Sequence, residues 1–411
     1  MTAPFARTIR ATEAPPVMEA RRWLDGQRFA PDRPLINLSQ AAPVDPPPAR
    51  LREAMAKAVL DDPEAHLYGP VLGLPALRAE IATRWSAAYG GDIAPADVAV
   101  TAGCNQAFCA ALATVAAPGE AVMIPYPWYF NHKMWCDTAG IDVIPLPCGA
   151  GMLPDPDAAR AALTPATRAI LLVSPNNPTG AEYPAPLIAA FRDLAQSRGL
   201  ALILDETYRD FHSQTGAPHD LFTDPDWRET VIHLYSFSKV YRLTGHRTGA
   251  LIAGADRLAE AEKFLDSMTI CPPQLGQIAA LYGLRHLSDW VAGERAEILA
   301  RRAAITQGFA RLEGWELLGC GAYFAYARHP FAASAPRIAR ALVAAQSLLV
   351  LPGTMFCPAG IGPAGGETQL RIAFANADAA GLGETVDRLA AFTQSRPDRA
   401  GPALDSTRPA S

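Results

Sequence analysis

Seven short apolar runs recur between residues 98 and 253: Val98–Thr101, Ala121–Ile124, Asp142–Leu146, Ala169–Ser174, Leu200–Leu204, Val231–Tyr235 and Gly249–Ala253. They are continuous rather than alternating, the pattern of strands covered on both faces. Segments of helical period lie among them at Gln106–Val115 and Pro186–Ser197 and, after the last, at Arg257–His286. This alternation predicts an α/β fold: a large domain with a mostly parallel seven-stranded sheet covered by helices. From Glu294 the pattern changes. A helix at Glu294–Leu312 precedes short strands near Trp315–Leu318 and Tyr323–Tyr326, a helix at Pro336–Gln346, strands at Leu348–Leu351 and Gln369–Phe374, and a closing helix at Ala379–Phe392. That order predicts a smaller α+β domain. The expected division is 46–290 for the large domain and 21–45 with 291–394 for the small one. Residues 1–20 and 395–411 lack apolar periodicity and are expected to be mobile ends.

Composition narrows the function classes. Half of the 411 residues are hydrophobic and 19% are charged, too apolar for a disordered chain. The 37 prolines and 31 glycines argue against a bundle of long helices. No apolar stretch of about 20 residues suggests a membrane span. A net charge of −5 offers no basic field for nucleic acid. The seven cysteines include no CxxC pair and no zinc spacing, and the N-terminus has no apolar signal core, so a reduced cytoplasmic location is expected. The histidines show no ligand spacing, so no metal is expected; His132, His246 and His329 read as surface or loop residues. Lys133 and Arg242 read as solvated charges, and Tyr323 and Phe356 as core.

Ligands of open α/β sheets bind outside the carboxyl ends of the strands, and specialised residues cluster there. Gly103-Cys104-Asn105 follows the first run, Asn177-Pro178-Thr179-Gly180 the fourth, Asp205 and Tyr208 the fifth, and Ser236, Ser238 and Lys239 the sixth. A helix opening at Gly103 presents free backbone N–H groups to an anion. Ser236, Ser238 and Arg247 add donors suited to a phosphate dianion. Asp205, ending a wholly apolar strand, needs a cationic partner, which a protonated ring nitrogen provides. Lys239 in an apolar surround would have a lowered pKa and an amine free to form a Schiff base. Phosphate, ring nitrogen and lysine imine are the three handles of pyridoxal 5′-phosphate.

SPNNPTG at 174–180, DETYRDF at 205–211, SFSKVYRLTGHRTG at 236–249 and LRIAFAN at 370–376 resemble, in order and spacing, the fold-type I, class I/II pyridoxal-phosphate-dependent aminotransferases, over roughly residues 35–393. The resemblance implies a ping-pong transamination between an L-amino acid and a 2-oxo acid through a Schiff base on Lys239. It implies that Asp205 holds the ring nitrogen protonated, that Asn177 and Tyr208 hydrogen-bond the ring oxygen, and that Gly103, Cys104, Asn105, Ser236, Ser238 and Arg247 hold the phosphate. Tyr129 matches the aromatic that stacks on the ring, with Trp128 the alternative if the register slips by one. Arg371 resembles the clamp for the substrate α-carboxylate, and Tyr68 the tyrosine that reaches a neighbouring subunit's phosphate, which implies a homodimer with shared sites. The substrate loop departs from the family pattern, with Ala41 where glycine is usual. A β-lyase or synthase on the same fold shares these handles, and a regulatory pyridoxal-phosphate-binding module is the more distant rival. A nicotinamide-binding fold is disfavoured because no G-x-G-x-x-G follows the first strand.

Overall fold

The computed structural model describes residues 3–396. Strands β1 (Val98–Thr101), β2 (Ala121–Tyr126), β3 (Asp142–Pro147), β4 (Thr167–Val173), β5 (Ala201–Asp205), β6 (Val231–Ser236) and β7 (Gly249–Ile252) form one sheet in the order β1-β7-β6-β5-β4-β2-β3. Only β7 runs against the rest, pairing antiparallel with both β1 and β6. The carboxyl ends of β1, β4, β5 and β6 therefore share one edge, and β7 begins there, with Gly249 opposite both Thr101 and Ser236.

Continuous apolar strands are needed because both faces are buried. Leu202 and Leu204 pack with Trp85 and Phe191 on one side, while Ala201 and Ile203 pack with Phe108 and Leu112 on the other. Each large side chain removed from water contributes about 1.5–3 kcal/mol. Several helices that the sequence pattern did not predict cover these faces, among them Ala49–Asp61, Pro75–Tyr89, Phe130–Ala139 and Pro156–Ala162.

The smaller layer is an antiparallel sheet of β8 (Glu316–Gly321), β9 (Phe324–Arg328), β10 (Leu351–Pro352) and β11 (Gln369–Ile372), ordered β10-β11-β9-β8. Helices Ser288–Phe309, Ala335–Gln346 and Ala379–Gln394 accompany it, with Phe324, Ile338, Leu342 and Leu389 in its core.

Two expectations need correction. The helix expected over Arg257–His286 is two, Ala255–Thr269 and Gln274–His286, because Pro272 and Pro273 cannot donate into a continuous ladder. The run Leu348–Leu351 also divides: Leu348–Leu349 pairs in parallel with Ile36–Asn37, whereas Leu351–Pro352 joins β11. The first 20 residues contain helical turns that the sequence pattern did not predict. Within them, Arg7–Ala11 is a short helix and Pro16 begins another that runs to Arg22, with Pro16 and Ala20 buried. At the other end, of the expected mobile segment 395–411, residues 397–411 lie outside the described residues.

The two layers meet tightly at the rim. Gly180 has φ +73°, and a Cβ there would fall 2.7 Å from the carbonyl oxygens of Gly321 and Phe324. Gly180→Ala therefore combines left-handed strain with a backbone collision, and should destabilise by about 2–4 kcal/mol in denaturant unfolding. Gly199→Ala, at φ +63° with nothing within 4 Å, should lose only about 1 kcal/mol.

Candidate active site

A cavity of about 640 Å³ opens at the shared strand edge. Of the residues expected from sequence, Ala41, Cys104, Asn105, Tyr129, Asn177, Asp205, Tyr208, Ser236, Ser238, Lys239, Arg247 and Arg371 all line it. Gly103 stands directly behind: a Cβ there would lie 2.7 Å from Cζ of Arg247, so only glycine, at φ +87°, lets that guanidinium reach the helix start. Trp128 is buried, does not line the cavity, and donates its backbone N–H to Phe356 O. Tyr68 is 79% exposed and not among the lining residues.

Asp205 is buried at the end of β5. Its Oδ2 lies 3.3 Å from Nε2 of His132, and its Oδ1 accepts from the Thr207 amide at 2.9 Å and from the Cys104 thiol at 3.6 Å. Burial alone would raise this carboxyl; His132 and Thr207 outweigh it and hold the group below its usual range. Burial and the neighbouring carboxylate push the Cys104 thiol well up, so it stays a neutral donor. His132, expected at the surface, is 1% exposed and packs against Phe108 and Tyr129. It was missed because its helix, Phe130–Ala139, was not recognised; the signal available was a histidine three residues past the aromatic Tyr129.

Lys239 sits in the one-turn helix Phe237–Val240, where Ser236 caps the start by accepting from the Ser238 amide. Its Nζ donates to the Ala41 carbonyl at 2.6 Å. Burial, reinforced by Arg247 and Arg371, lowers its pKa to about 8. Arg371 leaves β11, 2% exposed, with its Cζ 4.8 and 5.3 Å from the rings of Phe356 and Phe324. It donates to Asn177 Oδ1 at 3.1 Å and to the Ser39 carbonyl. Its Nε has no partner among the described residues, and desolvation lowers it to about 10. Arg242, expected to be solvated, pairs with Glu294 at 2.8 Å and Asp45 at 3.4 Å.

Residues 33–389 match the family model for aminotransferase class I and II. The chain belongs to that family. As an aminotransferase it is 30% identical to the valine–pyruvate aminotransferase of Mycobacterium tuberculosis, over 88% of this chain and 92% of that protein. It is 29% identical to an aromatic aminotransferase of Arabidopsis thaliana, over 82% and 85%. The solved N-succinyldiaminopimelate aminotransferase of M. tuberculosis superposes with a TM-score of 0.84 at 26% identity, covering 95% of this chain and all of that one. The enzyme thus has the fold-type I architecture and transfers amino groups between amino acids and 2-oxo acids with pyridoxal phosphate.

The residues present fit that cofactor. The Cys104 and Asn105 amides, which open helix Cys104–Ala113, have no backbone acceptor among the described residues, and Arg247 reaches them past Gly103 while donating to Ser238 Oγ at 3.3 Å. Together they form a cradle for a dianion. Asp205, kept ionised, suits a protonated ring nitrogen, and Lys239 is the nearby amine. The aminotransferase also recruits residues unforeseen in the sequence: Thr207, Asn131, and Pro15, Val17, Met18 and Arg21 from the N-terminal segment all line the cavity.

The buried amine gives a test independent of catalysis. Below pH 8 Lys239 is charged in both folded and unfolded states, and the folded state bears the full desolvation cost. Between pH 8 and 10.5 the unfolded chain binds the extra proton, so stability rises with pH. Lys239→Met should stabilise the cofactor-free protein by roughly 2–3 kcal/mol at pH 7. In urea titrations that gain should vanish by about pH 10.5.

Proposed function

We propose that this aminotransferase runs a ping-pong exchange in which Lys239 holds the cofactor and moves the proton at the substrate Cα. The convergence of Lys239, Asp205 and Arg371 on one cavity carries this reading. Bound pyridoxal phosphate supplies an electron-accepting ring. Lys239, with a pKa near 8, keeps on the order of a tenth of its amine unprotonated at pH 7, enough for a nucleophile and general base. Asp205, braced by His132, keeps a proton on the ring nitrogen. Asn177 and Tyr208 contact the ring oxygen, Tyr129 covers the ring face, and Gly103, Cys104, Asn105, Ser236, Ser238 and Arg247 hold the phosphate. Arg371, which lines the cavity, takes the α-carboxylate beside the backbone at Ala41.

We further propose that residues 46–290 act as the cofactor domain and that 21–45 with 291–394 form a small domain closing over the α-carboxylate to exclude water. The enzyme works as a cytoplasmic homodimer. Support for the location comes from seven unpaired cysteines. The dimer is supported by exposed apolar side chains Leu60, Leu67, Tyr68 and Met268, with Tyr68 reaching the partner's phosphate.

Lys239→Ala should abolish transamination and the visible absorbance of lysine-bound cofactor; retention of both sinks the assignment. Asp205→Asn should keep the cofactor bound yet lower kcat by about 100-fold or more, read in single-turnover half-reactions. Tyr68→Phe should weaken cofactor affinity about tenfold in equilibrium dialysis, although Tyr68 lies outside its own protomer's cavity. Sedimentation at micromolar concentration should give twice the chain mass.

A further inference from the structure

A second cavity, of about 240 Å³, adjoins the first, and every residue lining it belongs to helix Cys104–Ala113 or helix Phe130–Ala139. Asn105 and Asn131 are shared by the two cavities. The remaining wall is mostly apolar, with Phe108, Met134 and Trp135, while Thr138 adds a hydroxyl. Apolar hollows with a few placed polar groups are where small molecules bind, and this one has room for a single ring.

One polar group there is unanswered. His132 lines this cavity and is not among the lining residues of the first. Its Nε2 lies 3.3 Å from Asp205 Oδ2, and an ionised carboxylate only accepts, so Nε2 carries the ring proton. Nδ1 of the neutral ring is then an acceptor. It is buried without a hydrogen-bond partner among the described residues, a costly condition for a polar atom. An occupant that relieves it must bring an N–H or O–H donor. A hydroxyl suits best, since its own lone pairs can accept from the amide of a lining asparagine. Phe108 and Trp135 favour a flat aromatic body behind that donor. Charge is disfavoured, because no Asp, Glu, Lys or Arg lines this cavity.

We propose that this cavity is a regulatory site for a small neutral aromatic molecule of the phenol class. Its hydroxyl donates to His132 Nδ1 and its ring lies against Phe108 and Trp135. Accepting that bond polarises the imidazole, so Nε2–H donates more strongly to Asp205. The carboxylate then pulls less on the ring-nitrogen proton, and turnover slows. Two further links reach the reaction cavity. Asn131 donates to the Tyr129 hydroxyl at 2.8 Å. Thr138 Oγ1 lies 3.2 Å from Thr12 Oγ1, in the N-terminal segment whose Pro15, Val17 and Met18 line that cavity. Binding stands apart from the proposed function, whereas the effect on turnover rests on the role given there to Asp205.

The test titrates holoenzyme with phenol, and with fluorobenzene as the same shape lacking the donor. Phenol should bind in calorimetry with a Kd of about 1 mM, and fluorobenzene at least about fivefold more weakly. Saturating phenol should lower kcat about threefold while KM changes less than about twofold. Cys109→Phe fills this cavity from a position that does not line the first. It should keep the kcat measured without phenol and abolish the phenol effect. Thr138→Leu should do the same from the other helix, and serves if the first variant folds poorly. Water alone in this cavity in a crystal of phenol-soaked holoenzyme overturns the site. Inhibition seen only in KM also overturns it, because phenol would then occupy the reaction cavity. Binding here with unchanged kcat overturns the regulation. Failure of the wild type to transaminate any amino acid overturns the functional reading, and the calorimetry still decides the site.

Discussion

The site depends on a carboxylate that stays ionised inside a wall of aliphatic side chains. Asp205 ends a strand whose other residues are all buried and apolar, where a lone charge would cost several kcal/mol. The cost is offset from three directions, by His132, the Thr207 amide and the Cys104 thiol. Its chain neighbour Glu206 faces the same problem on the opposite side. There His233 and His219 lie 2.8 and 3.2 Å from its Oε2, Tyr89 also donates, and the histidines overcome the effect of burial to hold the carboxyl well below its usual range. Two consecutive carboxylates are thus satisfied on two faces because side chains alternate along the backbone. One faces the cavity; the other ties the strand end to the core beneath.

A second constraint is the segment from Ser39 to Ala42, which runs between the layers. It binds Arg371 and Lys239 through carbonyls, Arg21 through the Gln40 side chain, and Asn376 through the Ala42 amide. Movement of this segment would shift the α-carboxylate clamp, the reactive amine and the rim cation together. Ala41 in place of the usual glycine is compatible with this, since the contact to Lys239 is made by its carbonyl.

Much of this was legible in the chain. Each of the seven strands lies within a few residues of its apolar run, because burial on both faces leaves no room for polar residues in the middle of the sheet. The rim residues followed from the rule that parallel strands present their carboxyl ends to ligand. Less visible were helices such as Pro75–Tyr89, whose buried Leu77, Ile81, Trp85 and Tyr89 are set among alanines and charged residues, and breaks set by backbone chemistry, such as Pro272-Pro273. His132 was misread because an isolated histidine carries no periodicity, and its burial depends on Phe108 and Asp205 from distant parts of the sequence.

Local pattern alone marked the alternation of buried strands and helices, the lysine in its serine turn and the glycine at the helix start, whereas the arginine near the last strand was singled out by the family resemblance. The local signals are dictated by backbone conformation and by solvation, which neighbours in sequence control. Only the tertiary structure decided that His132 and Cys104 brace Asp205, that Tyr129 rather than Trp128 faces the cavity, and that the N-terminal helix brings Arg21 to its rim. Those pairings join residues tens to hundreds of positions apart. The packing of the two layers selects them, and no local propensity encodes it.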